Sequence, residues 1–102
     1  MAYEEILHAL ADPTRRRIFE ALRDGPKAVG DLALTQTVSR PAVSQHLKTL
    51  EAARLVTAEA QGNRRLYAIR RDGLDELRTY LDGFWNEALA AYSNEIKRRF
   101  FN

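Results

Sequence analysis

The chain has no cysteine, which excludes disulfides, thiolate metal sites and thiol redox sensing together and fits a reducing compartment. It has no long apolar run either. The longest, Ala88 to Tyr92, is five residues, too short for a bilayer or the core of a signal peptide, and the first residues carry Glu4 and Glu5 rather than a basic, then apolar, leader. A cytoplasmic location without a membrane role is expected. Histidine is scarce: His8 and His46 lie in distant segments, so no imidazole or thiolate cluster exists to bind a transition metal. Ser44 and His46 point to different sides of one helix, and no G-x-S-x-G, phosphate loop or H-E-x-x-H motif occurs. No catalytic residue, metal or cofactor is expected. Asp72 or Asp75 with Glu76 could hold a hard cation weakly, but acids near a helix start are better explained by the helix dipole.

What is present suits one folded domain over residues 1–102: 11.7 kDa, 45% hydrophobic and 29% charged. So short a domain gains from oligomerisation. The net charge of +2 hides an uneven distribution. Residues 12–71 hold twelve Lys or Arg against six Asp or Glu, whereas residues 72–102 hold four against six, and residues 1–11 only two acids. A basic centre between acidic ends is what counterion release on a polyphosphate needs, although basic surface also serves solubility.

Tyr3, Ile6, Leu7 and Leu10 follow a helical stripe. Asp12-Pro13 reads as an N-cap with proline in the first turn, starting a second helix with Ile18, Ala21 and Leu22 inward, ended by Asp24-Gly25-Pro26. Val29 to Leu34 suits a short third helix, Thr35 to Val38 a polar turn, and Ser39 the cap of a fourth helix with Val43, Leu47 and Leu50 inward. Val56 to Ala60 then alternates with period two, and Leu66 to Ile69 can pair with it across a turn at Gln61 to Arg65. Asp72-Gly73 opens a last helix with an apolar stripe at Leu74, Leu77, Leu81, Phe84, Ala88, Tyr92, Ile96 and Phe100, in which Gly83 allows a bend or a close helix contact. The expected fold is mainly α with a small β-hairpin wing, in α-α-α-α-β-β-α order: a winged helix-turn-helix.

With Val43, Leu47 and Leu50 inward, Arg40, Pro41, Ser44, Gln45 and Lys48 face outward beside the cap Ser39. Arg40 suits guanine O6 and N7, Gln45 suits adenine N6 and N7, Ser44 suits base or phosphate, and Lys48 suits phosphate. A merely solvated polar face is the alternative. In the wing, Arg64 and Arg65 point to opposite sides, so one can grip phosphate or a minor groove while the other turns outward or pairs with an acid; Asn63 and Arg64 rank ahead of Arg65. Arg15, Arg16 and Arg17 spread over about 200° of helix, so one or two at most, Arg15 among them, can meet DNA; an Arg16–Glu20 pair is the alternative for Arg16. His46 reads as a hydrogen-bonded residue at the core edge.

Asp12-Pro13-Thr14-Arg15, the run Ser39-Arg40-Pro41-Ala42-Val43-Ser44-Gln45-His46-Leu47-Lys48-Thr49-Leu50, then Leu55-Val56 and the arginine-bearing wing resemble the ArsR-type (ArsR/SmtB) repressor family over nearly the whole chain. The resemblance implies a homodimer built from the first and last helices, with Tyr3, Ile6, Leu7, Leu81, Phe84, Trp85, Ala88 and Tyr92 as seam candidates. It also implies recognition helices in successive major grooves of an inverted-repeat operator, and repression by blocking a promoter. Metal-sensing members carry a cysteine pair on the helix before the recognition helix; here that stretch is Val29-Gly30-Asp31-Leu32-Ala33-Leu34, and no histidine follows His46. Phe84-Trp85-Asn86 resembles the metal-independent branch, whose inducer the sequence leaves open. Arg54 departs from a common glycine after the recognition helix. In a left-handed cap arginine costs about 1–2 kcal/mol, so a different helix ending is the alternative.

Overall fold

The computed structural model describes residues 2–101, with side-chain environments from Tyr3 onward. Five α-helices and three strands run in the order α1 (Ala2–Ala11), α2 (Pro13–Glu20), β1 (Lys27–Ala28), α3 (Val29–Leu34), α4 (Arg40–Ala52), β2 (Val56–Gln61), β3 (Arg64–Ile69) and α5 (Arg71–Phe100). This is a winged helix-turn-helix, mainly α with a β wing. One strand was not expected. Two-residue β1 pairs antiparallel with β3, Lys27 opposite Tyr67 and Ala28 opposite Leu66, giving a sheet of order β1-β3-β2. Two residues are too few for a period-two pattern, so only the partner strand reveals it.

Both proline-marked helix starts form as the residue types dictate. The Asp12 carboxylate accepts from the Arg15 backbone N–H at 3.0 Å, and the Ser39 hydroxyl accepts from that of Ala42 at 3.3 Å. Each satisfies a first-turn N–H that the helix cannot pair itself, and each proline lies within the first turn, where it is tolerated. The second helix ends earlier than Asp24-Gly25-Pro26 suggests, at Glu20, where Lys27 Nζ donates to the Ala21 carbonyl at 2.7 Å.

The core joins Ile6 and Ala9 of α1, Ile18 of α2, Leu22, Leu32 of α3, Val43, Leu47 and Leu50 of α4, and Leu55, Val56 and Tyr67 of the wing base. Val43, Leu47 and Leu50 are wholly buried, which fixes the rotation of α4 about its axis.

The α4 terminus settles the question raised by Arg54. Arg54 takes φ 63°, and its N–H donates to the Glu51 carbonyl at 3.0 Å while that of Leu55 donates to the Leu50 carbonyl at 3.0 Å. These two bonds, with Leu50 packed beside Leu55 in the core, make a Schellman ending with arginine in the left-handed position usually held by glycine. The helix therefore does not end differently. Its strained turn instead aims the Arg54 carbonyl at α5, where it accepts from the Gly73 N–H at 3.1 Å. The Arg54 guanidinium also pairs with Glu76.

The hairpin turn is tighter than five residues: β2 and β3 pair from Val56–Ile69 to Gln61–Arg64, leaving Gly62-Asn63 between them. Gly62 has φ 62° and Asn63 is not left-handed, the arrangement of a turn with glycine first. Arg64 and Arg65 consequently begin β3 rather than belong to the loop. Last, α5 is 30 residues long, about 45 Å at 1.5 Å per residue, within a molecule 68 Å in its longest dimension. Its first turns pack on α1, with Tyr3 and Tyr80 rings stacked 4.2 Å apart; beyond Tyr80 it stands clear of the body.

A methyl group at buried Gly73 would lie 2.4 Å from the Arg54 carbonyl oxygen. Gly73→Ala is expected to destabilise the fold by about 1–3 kcal/mol, as overpacking against backbone does. Urea denaturation checks this, the midpoint falling at unchanged slope.

Candidate nucleic-acid interface

Burial of Val43, Leu47 and Leu50 turns the opposite side of α4 to solvent. Ser39, Arg40, Pro41, Gln45 and Lys48 are exposed and Ser44 is half-buried. These groups, brought together on one face, offer a guanidinium, an amide, a hydroxyl and an ammonium along about two turns, the complement needed to read base edges and hold phosphates.

Arg40 is seated rather than free-swinging. Its guanidinium lies over Gly30 at the start of α3, where a methyl group would meet Nη1, Cζ and Nη2 at 3.5, 3.6 and 3.7 Å. The three nearly equal distances mean that the guanidinium presents its flat face to the helix. Beside it, Ala28, Val29, Gly30, Asp31, Arg40, Asn63, Arg64 and Arg65 line a cleft of about 310 Å³ between α3, the start of α4 and the wing.

Both wing arginines line that cleft, and the one that takes an acid as partner is the one ranked ahead for DNA. That one is Arg64, whose Nη2 donates to Asp31 Oδ2 at 2.7 Å. Arg65 lies over the Tyr67 ring at 5.9 Å from its centroid. Asn63 sits exposed at the turn. Nothing in the sequence marked Asp31: an acid in a first helical turn is ordinary, and its partner lies 33 residues away.

Arg15 is held away from the outward face. Its Nε donates to the Ala9 carbonyl at 2.6 Å, and its Nη1 lies 3.4 Å from His46 Nδ1. It thereby ties α2 to the end of α1 and to the flank of α4, with His46 half-buried at the core edge. Arg16 donates to the Leu10 carbonyl at 3.2 Å and Arg17 to the Thr14 hydroxyl at 3.3 Å; no Arg16–Glu20 ion pair forms among the described residues.

Of the seam candidates, Ile6 is a correction. It is 1% exposed and spent on the chain's own core with Ala9, Ile18 and Leu47. Tyr3 is half-buried under Tyr80, Leu7 is exposed, and Leu81, Phe84, Trp85, Ala88 and Tyr92 are exposed along α5. Leu89, absent from the expected set, is exposed on the same arm. Around Gly83 nothing lies within 4 Å of where a side chain would start. Among the described residues no group of three or more His, Asp or Glu side chains is arranged to hold a metal ion, and no helix is long and apolar enough to cross a membrane.

The sequence model described as "Bacterial regulatory protein, arsR family" matches residues 12–58, the stretch from the Asp12 cap into the first strand of the wing. The chain is also 57% identical over 88 residues to the HTH-type transcriptional regulator Rv2034 of Mycobacterium tuberculosis, covering 86% of this chain and 82% of that one. This protein belongs to the arsR family. Two solved structures carry the same fold. An ArsR-like transcriptional regulator from Rhodococcus sp. RHA1 superposes with a TM-score of 0.77 at 28% identity, covering 97% of this chain and 92% of its own. The homodimeric winged helix-turn-helix DNA-binding domain of Mb0332 from Mycobacterium bovis, a possible ArsR-family regulator, superposes with a TM-score of 0.68 at 26% identity, covering 86% and 82%. As an arsR-family protein the chain is a winged-helix transcriptional regulator and not an enzyme. The chain has no cysteine, in α3 or elsewhere.

Asp12 links stability to pH. Its carboxyl is held below the ordinary carboxylate range, chiefly by the Arg15 backbone N–H, with burial opposing and the Thr14 N–H, His46 and Arg15 assisting. A lowered folded-state value gives stability that is present above the unfolded value, about 3.9, and is lost as pH falls through the folded one. Asp12→Asn, which keeps the cap and loses the charge, should flatten the acid limb of the stability curve; thermal melts between neutral pH and pH about 3 compare the two.

Proposed function

We propose that this arsR-family protein is a sequence-specific repressor that binds double-stranded DNA as a homodimer, on an inverted-repeat operator, in the cytoplasm. The observation carrying the reading is the outward face of α4. Its rotation is locked by wholly buried Val43, Leu47 and Leu50, so Arg40, Ser44, Gln45 and Lys48 are offered together as a rigid reading head. In this reading Arg40 and Gln45 read bases from the major groove, Ser44 reads base or phosphate, and Lys48 and Ser39 hold the backbone with Pro41 packed beside them. The wing, with Asn63, Arg64 and Arg65, follows the backbone towards the adjacent minor groove. Arg15 braces α4 from behind rather than touching DNA, because its guanidinium is already engaged by Ala9 and His46.

The homodimer is supported by the exposed arm. Leu81, Phe84, Trp85, Leu89 and Tyr92 are 46–65% exposed and recur at helical spacing, leaving a continuous apolar stripe that a lone chain would hold in water. A groove of about 620 Å³ at Tyr3, Tyr80, Gly83 and Phe84 meets the stripe at its Phe84 edge. The related Mb0332 domain is homodimeric. A seam of α1 with α5 places two reading heads about one DNA turn, roughly 34 Å, apart, hence the inverted repeat. With no cysteine and only two histidines, relief of repression runs through a signal other than thiolate-bound metal.

Selection from a randomised duplex pool tests the reading: it should return an inverted repeat, and failure to enrich any duplex in dilute salt would overturn it. Arg40→Ala and Gln45→Ala should each cost about 1–3 kcal/mol on the selected site and relax specificity there, whereas Lys48→Ala should weaken scrambled and selected duplexes alike. Competition titrations separate the two. Light scattering should give a dimer at micromolar concentration. Dilution should shift the emission of Trp85, the only tryptophan, to the red as its indole leaves the seam.

A further inference from the structure

The cleft between α3 and the wing holds an arrangement that DNA reading alone does not require. Three arginines line it, Arg40, Arg64 and Arg65, with Asp31 the one acid among its lining residues. Arg64 reaches across from the first position of β3 to place Nη2 2.7 Å from Asp31 Oδ2. The bond closes the cleft at its wing side, while the Arg40 guanidinium rests on Gly30, the residue next to Asp31. A carboxylate offers an arginine two anionic oxygens much as a phosphodiester offers its two non-bridging ones.

We propose that Asp31 is an internal phosphate surrogate: it latches the wing to α3 through Arg64 in the free protein, and a DNA phosphate displaces it when the wing engages the duplex. The inference rests on the DNA-binding reading above. Position supports it, because the cleft lies between the first residue of the reading helix and the wing, the strip along which a backbone passes from the groove read by α4 to the wing. Energetics permit it. Both side chains are more than half exposed, 58% for Arg64 and 55% for Asp31, and a pair that wet shifts an equilibrium by no more than about fivefold. The wing itself is held by the pairing of β3 with β1 and by buried Tyr67, so the latch only adds to that seat and is weak enough for a polyanion to open. It lowers affinity for every duplex equally, since what it withholds is a phosphate contact without sequence information.

The test is a double-mutant cycle on full-length protein, using the selected duplex and a scrambled one of equal length at low salt. Asp31→Asn should tighten binding to both by a similar factor of about two to five, Arg64→Ala should weaken both, and Asp31→Asn placed in the Arg64→Ala background should change neither. Unchanged melting of Asp31→Asn confirms that the folded state is intact. An equal gain in both backgrounds would show that Asp31 acts only by general repulsion of DNA, and no gain in either would show that the ion pair is idle; both results overturn the latch while leaving DNA binding standing. Absence of duplex binding by the unsubstituted protein would instead overturn the reading beneath it.

Discussion

Rotation of the fourth helix is the constraint on which the remaining structure depends. Three side chains, Val43, Leu47 and Leu50, are removed wholly from water, and interiors packed to crystal-like density resist even small displacements. Because the helix is rigid, burying one side dictates the direction of every group on the other. The core, through the helix backbone, sets the side on which Gln45 and Lys48 emerge, and Arg40 rests in addition on Gly30. Arg15 serves the same end from the flank, joining α1, α2 and α4 through Ala9 and His46.

The end of that helix carries the constraint onward. Leu55 turns back into the core beside Leu50, which requires a left-handed residue between helix and wing, and the chain places arginine there despite its strain. Two compensations are visible in the structure: the redirected carbonyl meets the Gly73 N–H, and the guanidinium meets Glu76. The same turn therefore sets both the start of the wing and the departure of α5. A glycine at Gly73 is required not for flexibility but because the Arg54 carbonyl occupies the space a side chain would need.

Much of this was legible in the residues. The two capped starts at Asp12-Pro13 and Ser39-Arg40-Pro41, the inward stripe of α4 and the long apolar stripe of α5 are local patterns, written within one or two helical turns. The outward face of α4 followed from the inward one by geometry alone. Less legible were features whose two halves lie far apart in the chain. The strand Lys27–Ala28 exists only through its pairing with Tyr67 and Leu66. Ile6 reads like its neighbours Tyr3 and Leu7 on an apolar stripe, yet of the three it alone is fully buried, because burial depends on what packs on the helix and not on the helix's own pattern.

Sequence by itself thus determined the order of the helices, the caps of α2 and α4, the chemistry of the outward face of α4 and the lack of thiols, because each depends on near neighbours or on composition. Tertiary structure decided what each arginine engages: Arg15 against Ala9 and His46, Arg64 against Asp31, Arg65 over Tyr67, Arg40 upon Gly30. A guanidinium on a flexible stem finds its partner through space, and nothing in the order of residues says which carboxylate, carbonyl or ring the fold will bring within its reach.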